Sequence, residues 1–340
     1  MLAVGWAGSL ATLLAWGIAA DRLGERVVLP IGLGGCALFL VGAAYASSFG
    51  ALLVWLTLAG AAGSTVNSAS GRAVMNWFGP EQRGLALGVR QTAIPLGGVV
   101  AALALPGLAA SGGSESAFLF LAALCTAGAV AGAVVLRGRE QEDADGIEAA
   151  TVSRTLRDGR LWRLGLGSGL YLYAQVAVIG FGVLFLHDEH GFTERSAGVV
   201  LAAAQVLAVA LRIGVGRWSD VVGARVRPLH QIGVAVAVAL GVTAALADGP
   251  SWVLVPALAV AGGLSMAWNG LSFTAAAELA GARRSGAAIG FQQSVLSAIG
   301  IAAPVLFALA VSSLSWPAAF ALAALFPLAG SLALRPLRAY

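Results

Sequence analysis

The chain has 340 residues, 59% of them hydrophobic and 11% charged, where an ordinary soluble domain carries about 25% charge. Its mean hydropathy is +0.88 and its formal net charge +4. These values exclude a soluble domain of useful size and identify an integral membrane protein.

A bilayer core of ~30 Å is crossed by roughly 20 apolar residues of helix. The sequence offers eleven such windows. In chain order they are Met1 to Ala20, Val27 to Ala46, Ala51 to Met75, Gly84 to Ala109, Ser116 to Leu136 and Leu164 to Leu186. Ala197 to Trp218, Leu229 to Ala247, Trp252 to Ala277, Ser285 to Val311 and Trp316 to Leu334 follow. The first window lacks both a basic leader and a small-residue cleavage site, so it reads as a retained span. The long polar segment between Leu136 and Leu164 reads as a cytoplasmic linker over 137–163. It separates a bundle of five helices, 1–136, from a bundle of six, 164–340.

All 20 basic residues are arginine, and they cluster in alternate loops. Arg22 and Arg26, Arg83, Arg137 to Arg163, Arg217 to Arg227, Arg283 and Arg284, and Arg335 and Arg338 mark one side, while the opposite loops hold only Arg195. By the positive-inside rule the first set is cytoplasmic, which puts the C-terminus inside and Met1 outside. The basic balance therefore reflects topology and is no signal for nucleic acid.

The sequence is duplicated. Gly17, Asp21, Gly24 and Arg26 recur as Gly216, Asp220, Gly223 and Arg225, an offset of 199. Gly84, Ala86, Gly88, Gln91 and Gly98 recur from Gly286 to Gly300 at an offset of 202. Ser64, Asn67, Ser68 and Gly71 share a helical face, as do Ser265, Trp268, Asn269 and Ser272 at an offset of 201.

The run Gly17-x3-Asp21-Arg22-x-Gly24-x-Arg26 resembles the loop signature that follows the second helix in the major facilitator superfamily. The segment from Gly216 to Arg225 resembles its weaker second-half copy, and "NWFGPEQRGLALGVRQTAIPLGG" resembles the segment joining helices four and five of bacterial members. The departures are Glu25, where an arginine is common, and Val221 after Asp220. The resemblance implies a two-bundle fold in which Met1 to Ala20 is helix two and helix one of the usual twelve is absent. It also implies secondary transport by alternating access, with no catalytic residues, cofactor or metal.

Asp21 and Asp220 lie at cytoplasmic helix ends. Repeat symmetry directs Asp21 toward the helix starting near Ser285 and Asp220 toward the one starting near Arg83. A carboxylate at a helix N-terminus gains ~0.3–1 kcal/mol from the helix dipole, enough for a releasable latch. The resemblance implies the same role: a charge relay, made of Gly17, Asp21, Arg22, Gly24 and Arg26 with Gly216, Asp220, Gly223 and Arg225, that closes the cytoplasmic side.

Arginine at mid-bilayer costs at least ~2.5–3.5 kcal/mol, so Arg90 and Arg212 each need a reason. Arg90 can reach back to the inner surface, because side chains lean toward their helix N-terminus. Arg212, on a helix of opposite sense, leans deeper and meets no intramembrane carboxylate in the sequence. Its spacing to Gly216 and Asp220 resembles that in organic-anion carriers of the superfamily, where such an arginine meets the substrate carboxylate. A gating arginine satisfied by carbonyls and water is the other reading.

Gln205 lies two turns from Arg212, and Ser168, Tyr171 and Gln175 share a face. Asn67 and Asn269 are symmetric, and Trp268 offers a stacking surface. Together they outline a polar-walled cavity for a small solute, with interhelical hydrogen bonding the alternative for each. The favoured solute is a small organic anion, moved alone or with a co-transported ion by a monomer in a bacterial plasma membrane. Efflux of an amphipathic drug-like compound, or a transport-inactive remnant, remains open. His187 and His190 read as solvated loop, "IGLGG" as spanning helix, and Cys36 and Cys125 as intramembrane thiols.

Overall fold

The computed structural model describes residues 2–136 and 149–337. Met1, Arg338 and the first part of the expected linker, 137–148, lie outside the described residues. Every regular element among the described residues is helical. Helices α1 (Leu2–Leu23), α2 (Glu25–Ala44), α3 (Phe49–Gly63), α4 (Thr65–Trp77), α5 (Arg83–Gln91) and α6 (Ala93–Val135) make up the first half of the sequence. A short α7 (Ala149–Arg157) leads into α8 (Gly159–Gln175), which passes through a π-helical turn, Val176–Gly180, into α9 (Phe181–His190). The chain then forms α10 (Glu194–Val222), α11 (Val226–Ala245), α12 (Ser251–Ser265), α13 (Asn269–Ala280), α14 (Ser285–Ser313) and α15 (Trp316–Leu334).

Ten stretches among the described residues are long and apolar enough to cross a bilayer, and the 22-residue α1, charged only in its last turn, precedes them. Helices suit this setting because all their backbone bonds are made within the segment. Several expected windows turn out to be broken rather than continuous. Ala51 to Met75 is built from α3 and α4, and Trp252 to Ala277 from α12 and α13. Both breaks fall at matching serines: Ser64 Oγ bonds back to Ala61 O at 2.9 Å and Ser265 Oγ to Gly262 O at 2.8 Å. A serine bonding to the carbonyl three residues earlier competes with the helical ladder. The window Gly84 to Ala109 is split between α5 and α6, and its second part runs on into Ser116 to Leu136 within α6, which turns at Gly112 and Gly113, the latter at φ 66°.

The described residues group into two compact units. One draws on Met1–Gly79, Leu96–Leu161 and Ala276–Ser297, the other on Pro80–Pro95, Trp162–Ala275 and Ala298–Tyr340. Each unit therefore takes in one helix start from the opposite half of the sequence. In the first, Cys36, Ala37, Leu40, Ala59, Ala62 and Ala122 form a core of mostly small side chains, which lets helix backbones approach closely. In the second, Phe185, Phe307 and Phe320 pack around Trp316, with Phe185 and Phe320 edge to face at 5.0 Å.

The repeated glycines have two separate reasons. Gly24 adopts φ 80° and ψ 155° at the start of α2, and Gly223 φ 65° and ψ 25° at the end of α10. The first conformation belongs almost to glycine alone, whereas the second is left-handed helical and also tolerates asparagine. Gly24→Ala is therefore expected to cost ~1–3 kcal/mol and Gly223→Ala ~1–2 kcal/mol, with Gly223→Asn recovering most of the loss. Thermal melting of the purified variants checks that order.

Candidate functional site

In the first unit, the start of α14 packs on the end of α1. Asp21, 1% exposed, accepts Gly286 N–H at 2.9 Å on Oδ1 and Ala287 N–H at 2.7 Å on Oδ2. In the second unit, Asp220 accepts Gly84 N–H at 2.9 Å and Leu85 N–H at 2.8 Å from the first turn of α5. In each case both carboxylate oxygens are held by two of the orphan N–H groups that every helix start presents.

The second class of glycine makes this contact geometrically accessible. A Cβ on Gly286 would lie 2.6 Å from Gly17 O, and one on Gly84 2.6 Å from Gly216 O. Any side chain there would wedge the helices apart and lift the amides off the carboxylate.

The two contacts differ in their arginines. Asp220 pairs with Arg225, Nη1 to Oδ1 at 2.6 Å, and Arg225 also donates to Ser219 Oγ at 2.9 Å. Its repeat mate Arg26 is exposed. Arg72 from α4 pairs with Asp21 instead, Nε to Oδ1 at 3.0 Å, and reaches Glu25 Oε2 at 2.5 Å. Asn76 Nδ2 stands 3.3 Å from both oxygens of Glu25. Glu25 thus gives Arg72 a second carboxylate, which explains an acid at a position where the family signature commonly has a base. Arg22 and Val221 are exposed. Arg72, Glu25 and Asn76 escaped the repeat comparison because Phe273 occupies the position matching Arg72. The cost of an arginine in an apolar helix was the signal that could have found it.

Arg212 is 2% exposed and lies ten residues, about 15 Å, before the end of α10. Its Nε donates to Met266 O at 2.9 Å and its Nη1 to Gln91 O. Met266 O sits at the break between α12 and α13, and Gln91 O at the break between α5 and α6. Each is near a helix C-terminus, whose partial negative charge favours a cation. Arg212 Nη2 is buried with no hydrogen-bond partner among the described residues. Arg90 donates to Gln91 Oε1 at 3.0 Å, so Gln91 touches both guanidinium groups.

The other expected cavity residues divide by what their polar atoms do. Ser168 Oγ is 2.7 Å from Ser272 Oγ, and Tyr171 Oη is 2.9 Å from Ser331 Oγ; both ties join helices within the second unit. Gln175 Oε1, Gln205 Oε1 and Trp268 Nε1 are buried without a partner among the described residues, as Arg212 Nη2 is. Gln175 closes α8 where the π turn begins, and Trp268 packs edge-on against Tyr171 at 6.0 Å in the break before α13. Asn269, 8% exposed, opens α13, while Asn67 is half-buried in α4 of the first unit. His187 Nδ1 and His190 Nε2 lie 2.8 Å from Phe192 O and Ala247 O respectively. Among the described residues no cluster of three His, Cys, Asp or Glu is placed to hold a metal.

Duplicated spans broken near their middles, carboxylates capping helix starts, and buried polar atoms within apolar helices define a multi-pass membrane carrier. The chain belongs to the major facilitator superfamily, whose family model matches residues 1–304. It is 36% identical over 335 residues to an uncharacterized MFS-type transporter, Rv2994, of Mycobacterium tuberculosis (strain ATCC 25618 / H37Rv), a match covering 95% of this chain and 72% of that one. A hexuronate transporter of Bacillus subtilis (strain 168) is 33% identical over 84 residues, 25% of this chain and 20% of its own. The crystal structure of the Escherichia coli fucose:proton symporter FucP shares the fold with a TM-score of 0.79 at 16% identity, over 98% of this chain and 88% of that one.

Proposed function

We propose that the protein is a secondary carrier that moves a small organic anion, most simply a carboxylate, across a bacterial plasma membrane by alternating access. The observation that carries this reading is Arg212 Nη2, buried and without a hydrogen-bond partner among the described residues. Repeat symmetry sharpens it. A Cβ on Gly88 would meet Arg212 O at 2.5 Å, and one on Gly290 would meet Leu13 O at 2.5 Å, so Arg212 and Leu13 occupy equivalent places. Leu13 is 1% exposed and fills its place by packing alone. An arginine costing at least ~2.5–3.5 kcal/mol in the membrane is not needed for packing there. A carboxylate would take the free N–H groups in a charge-assisted bond, with Gln175, Gln205, Trp268 and Asn269 supplying further polar contacts. A hexuronate is itself a sugar carboxylate, and the name of the Bacillus subtilis relative points the same way.

In this reading the halves 1–136 and 164–340 rock against each other about the linker 137–163. The contacts of Asp21 and Asp220 close the cytoplasmic side and release in the opposite state, with the C-terminus inside and Met1 outside. A co-transported ion and a monomeric carrier complete the proposal.

Counterflow into proteoliposomes preloaded with unlabelled glucuronate or a short-chain carboxylate tests it. Labelled carboxylate should accumulate well above protein-free vesicles. No accumulation of any carboxylate, together with exchange of a cationic amphiphile, would establish the drug-efflux reading instead. Ser168→Ala should leave uptake within about threefold of wild type, because its hydroxyl is spent on Ser272 and such intramembrane bonds are worth ~0.6 kcal/mol. Gln205→Leu, which removes an uncommitted acceptor, should raise the apparent KM on the order of tenfold in the same assay.

A further inference from the structure

We propose that a basic pocket at the start of two membrane spans holds the phosphate of an anionic phospholipid. The pocket lies within the first unit, has a volume of about 500 Å³, and is lined by Ser153, Arg154, Arg157, Asp158 and Arg284. Arg157 ends α7, Asp158 immediately precedes the span Gly159–His190, and Arg284 lies in the first turn of the span Ala282–Ser313. A pocket at the ends of two apolar spans stands at headgroup level.

Charge supports the same ligand. Arg160 holds Asp158 in a bidentate pair, Nε to Oδ1 at 3.1 Å and Nη2 to Oδ2 at 2.9 Å. That hydrogen bonding, aided more weakly by the charge of Arg284, keeps the Asp158 carboxyl below its ordinary range, so it stays ionised and committed to Arg160. Among the described residues no carboxylate is within ion-pair distance of Arg154, Arg157 or Arg284. Arg154 and Arg157 are three residues apart on one face of α7, and Arg284, half-buried, lines the same pocket.

Guanidinium groups match phosphate oxygens in paired hydrogen bonds, and the Ser153 hydroxyl can donate to a further oxygen. Basic pockets between membrane helices recognise lipid headgroups in this way. Leu156, 40% exposed on the same short helix, offers a surface for an acyl chain that a soluble phosphate would not use.

The test uses the full chain, purified, delipidated and returned to phosphatidylcholine nanodiscs with or without one fifth phosphatidylglycerol. Native mass spectrometry counts bound phosphatidylglycerol, and melting reports folding. The combined substitution Arg154→Gln, Arg157→Gln and Arg284→Gln should lower retention by about tenfold or more, while Arg195→Gln, in the first turn of α10 and by the charge rule on the opposite membrane face, leaves it unchanged. Equal retention by the triple variant, folded by its melting curve, would overturn the proposal. Inorganic phosphate displacing the lipid at equal concentration would overturn the lipid assignment in favour of a soluble phosphate-bearing ion.

Discussion

Arg212→Gln and Arg212→Leu are expected to insert and melt within a few degrees of wild type while carboxylate uptake falls on the order of a hundredfold or more. The stability side follows from two opposing terms. Removing the guanidinium relieves a membrane cost of at least ~2.5–3.5 kcal/mol. It also strips Met266 O and Gln91 O of their donor, at ~1–3 kcal/mol each. These terms nearly cancel, and Leu13 shows that leucine fits the equivalent place.

The transport side has no such compensation. A carboxylate would lose one or two charge-assisted hydrogen bonds worth ~1.5–3 kcal/mol each, and every 1.4 kcal/mol is tenfold. Arg212→Lys should fall between, since it keeps the charge but lacks the planar fork that serves two carbonyls and an anion together. Melting curves beside uptake kinetics decide the matter. Uptake unchanged in Arg212→Gln would remove Arg212 from the site. A large fall in melting temperature with a proportionate loss of uptake would make it a structural tie between helix ends.

Gly286→Val should abolish the Asp21 contact and reduce transport by at least about tenfold. The added Cβ would start 2.6 Å from Gly17 O, well inside contact distance, and its obstacle is backbone that cannot swing aside. Moving α14 away breaks the bonds from Gly286 N and Ala287 N, each to a buried charged acceptor and worth ~1.5–3 kcal/mol. Asp21 would keep Arg72, so the charge would stay paired while its helix partner is lost.

Amide hydrogen exchange reads this directly. The amide of Ala287 and that of residue 286 should exchange much faster in the variant, while those of Gly84 and Leu85, held by Asp220, serve as the unperturbed control within the same molecule. Unchanged exchange at Ala287 together with full uptake would refute the latch role.

Much of the architecture is legible in the order of the amino acids. A helix in a bilayer must satisfy its own backbone, so each span announces itself as an uninterrupted apolar window of known length. Duplication carries information across the chain. Near-equal offsets of 199, 201 and 202 pair Asp21 with the helix start at Ser285, and Asp220 with the one at Arg83, two contacts more than 130 residues apart in sequence. Arg212 is legible for another reason: its membrane cost is local and can be read from one residue and the direction of its helix.

Tertiary structure alone decided what fills the remaining valences. Arg72 takes the place beside Asp21 that Arg225 takes beside Asp220, because it projects from a different helix and no sequence-local signal records which helices touch. The breaks at Ser64 and Ser265 and the π turn after Gln175 are equally invisible in hydropathy, which does not change when a helix skips a hydrogen bond. The breaks after Gln91 and Ser265 free the carbonyls of Gln91 and Met266 to hold Arg212. Packing also separates the hydroxyls of Ser168 and Tyr171, consumed by neighbouring helices, from the atoms of Gln175, Gln205 and Trp268 that have no partner among the described residues. Which polar residues belong in the membrane was a property of the sequence; which of them are left with an unmade bond depends on the partners packing brings within about 3 Å, and only the fold supplies those.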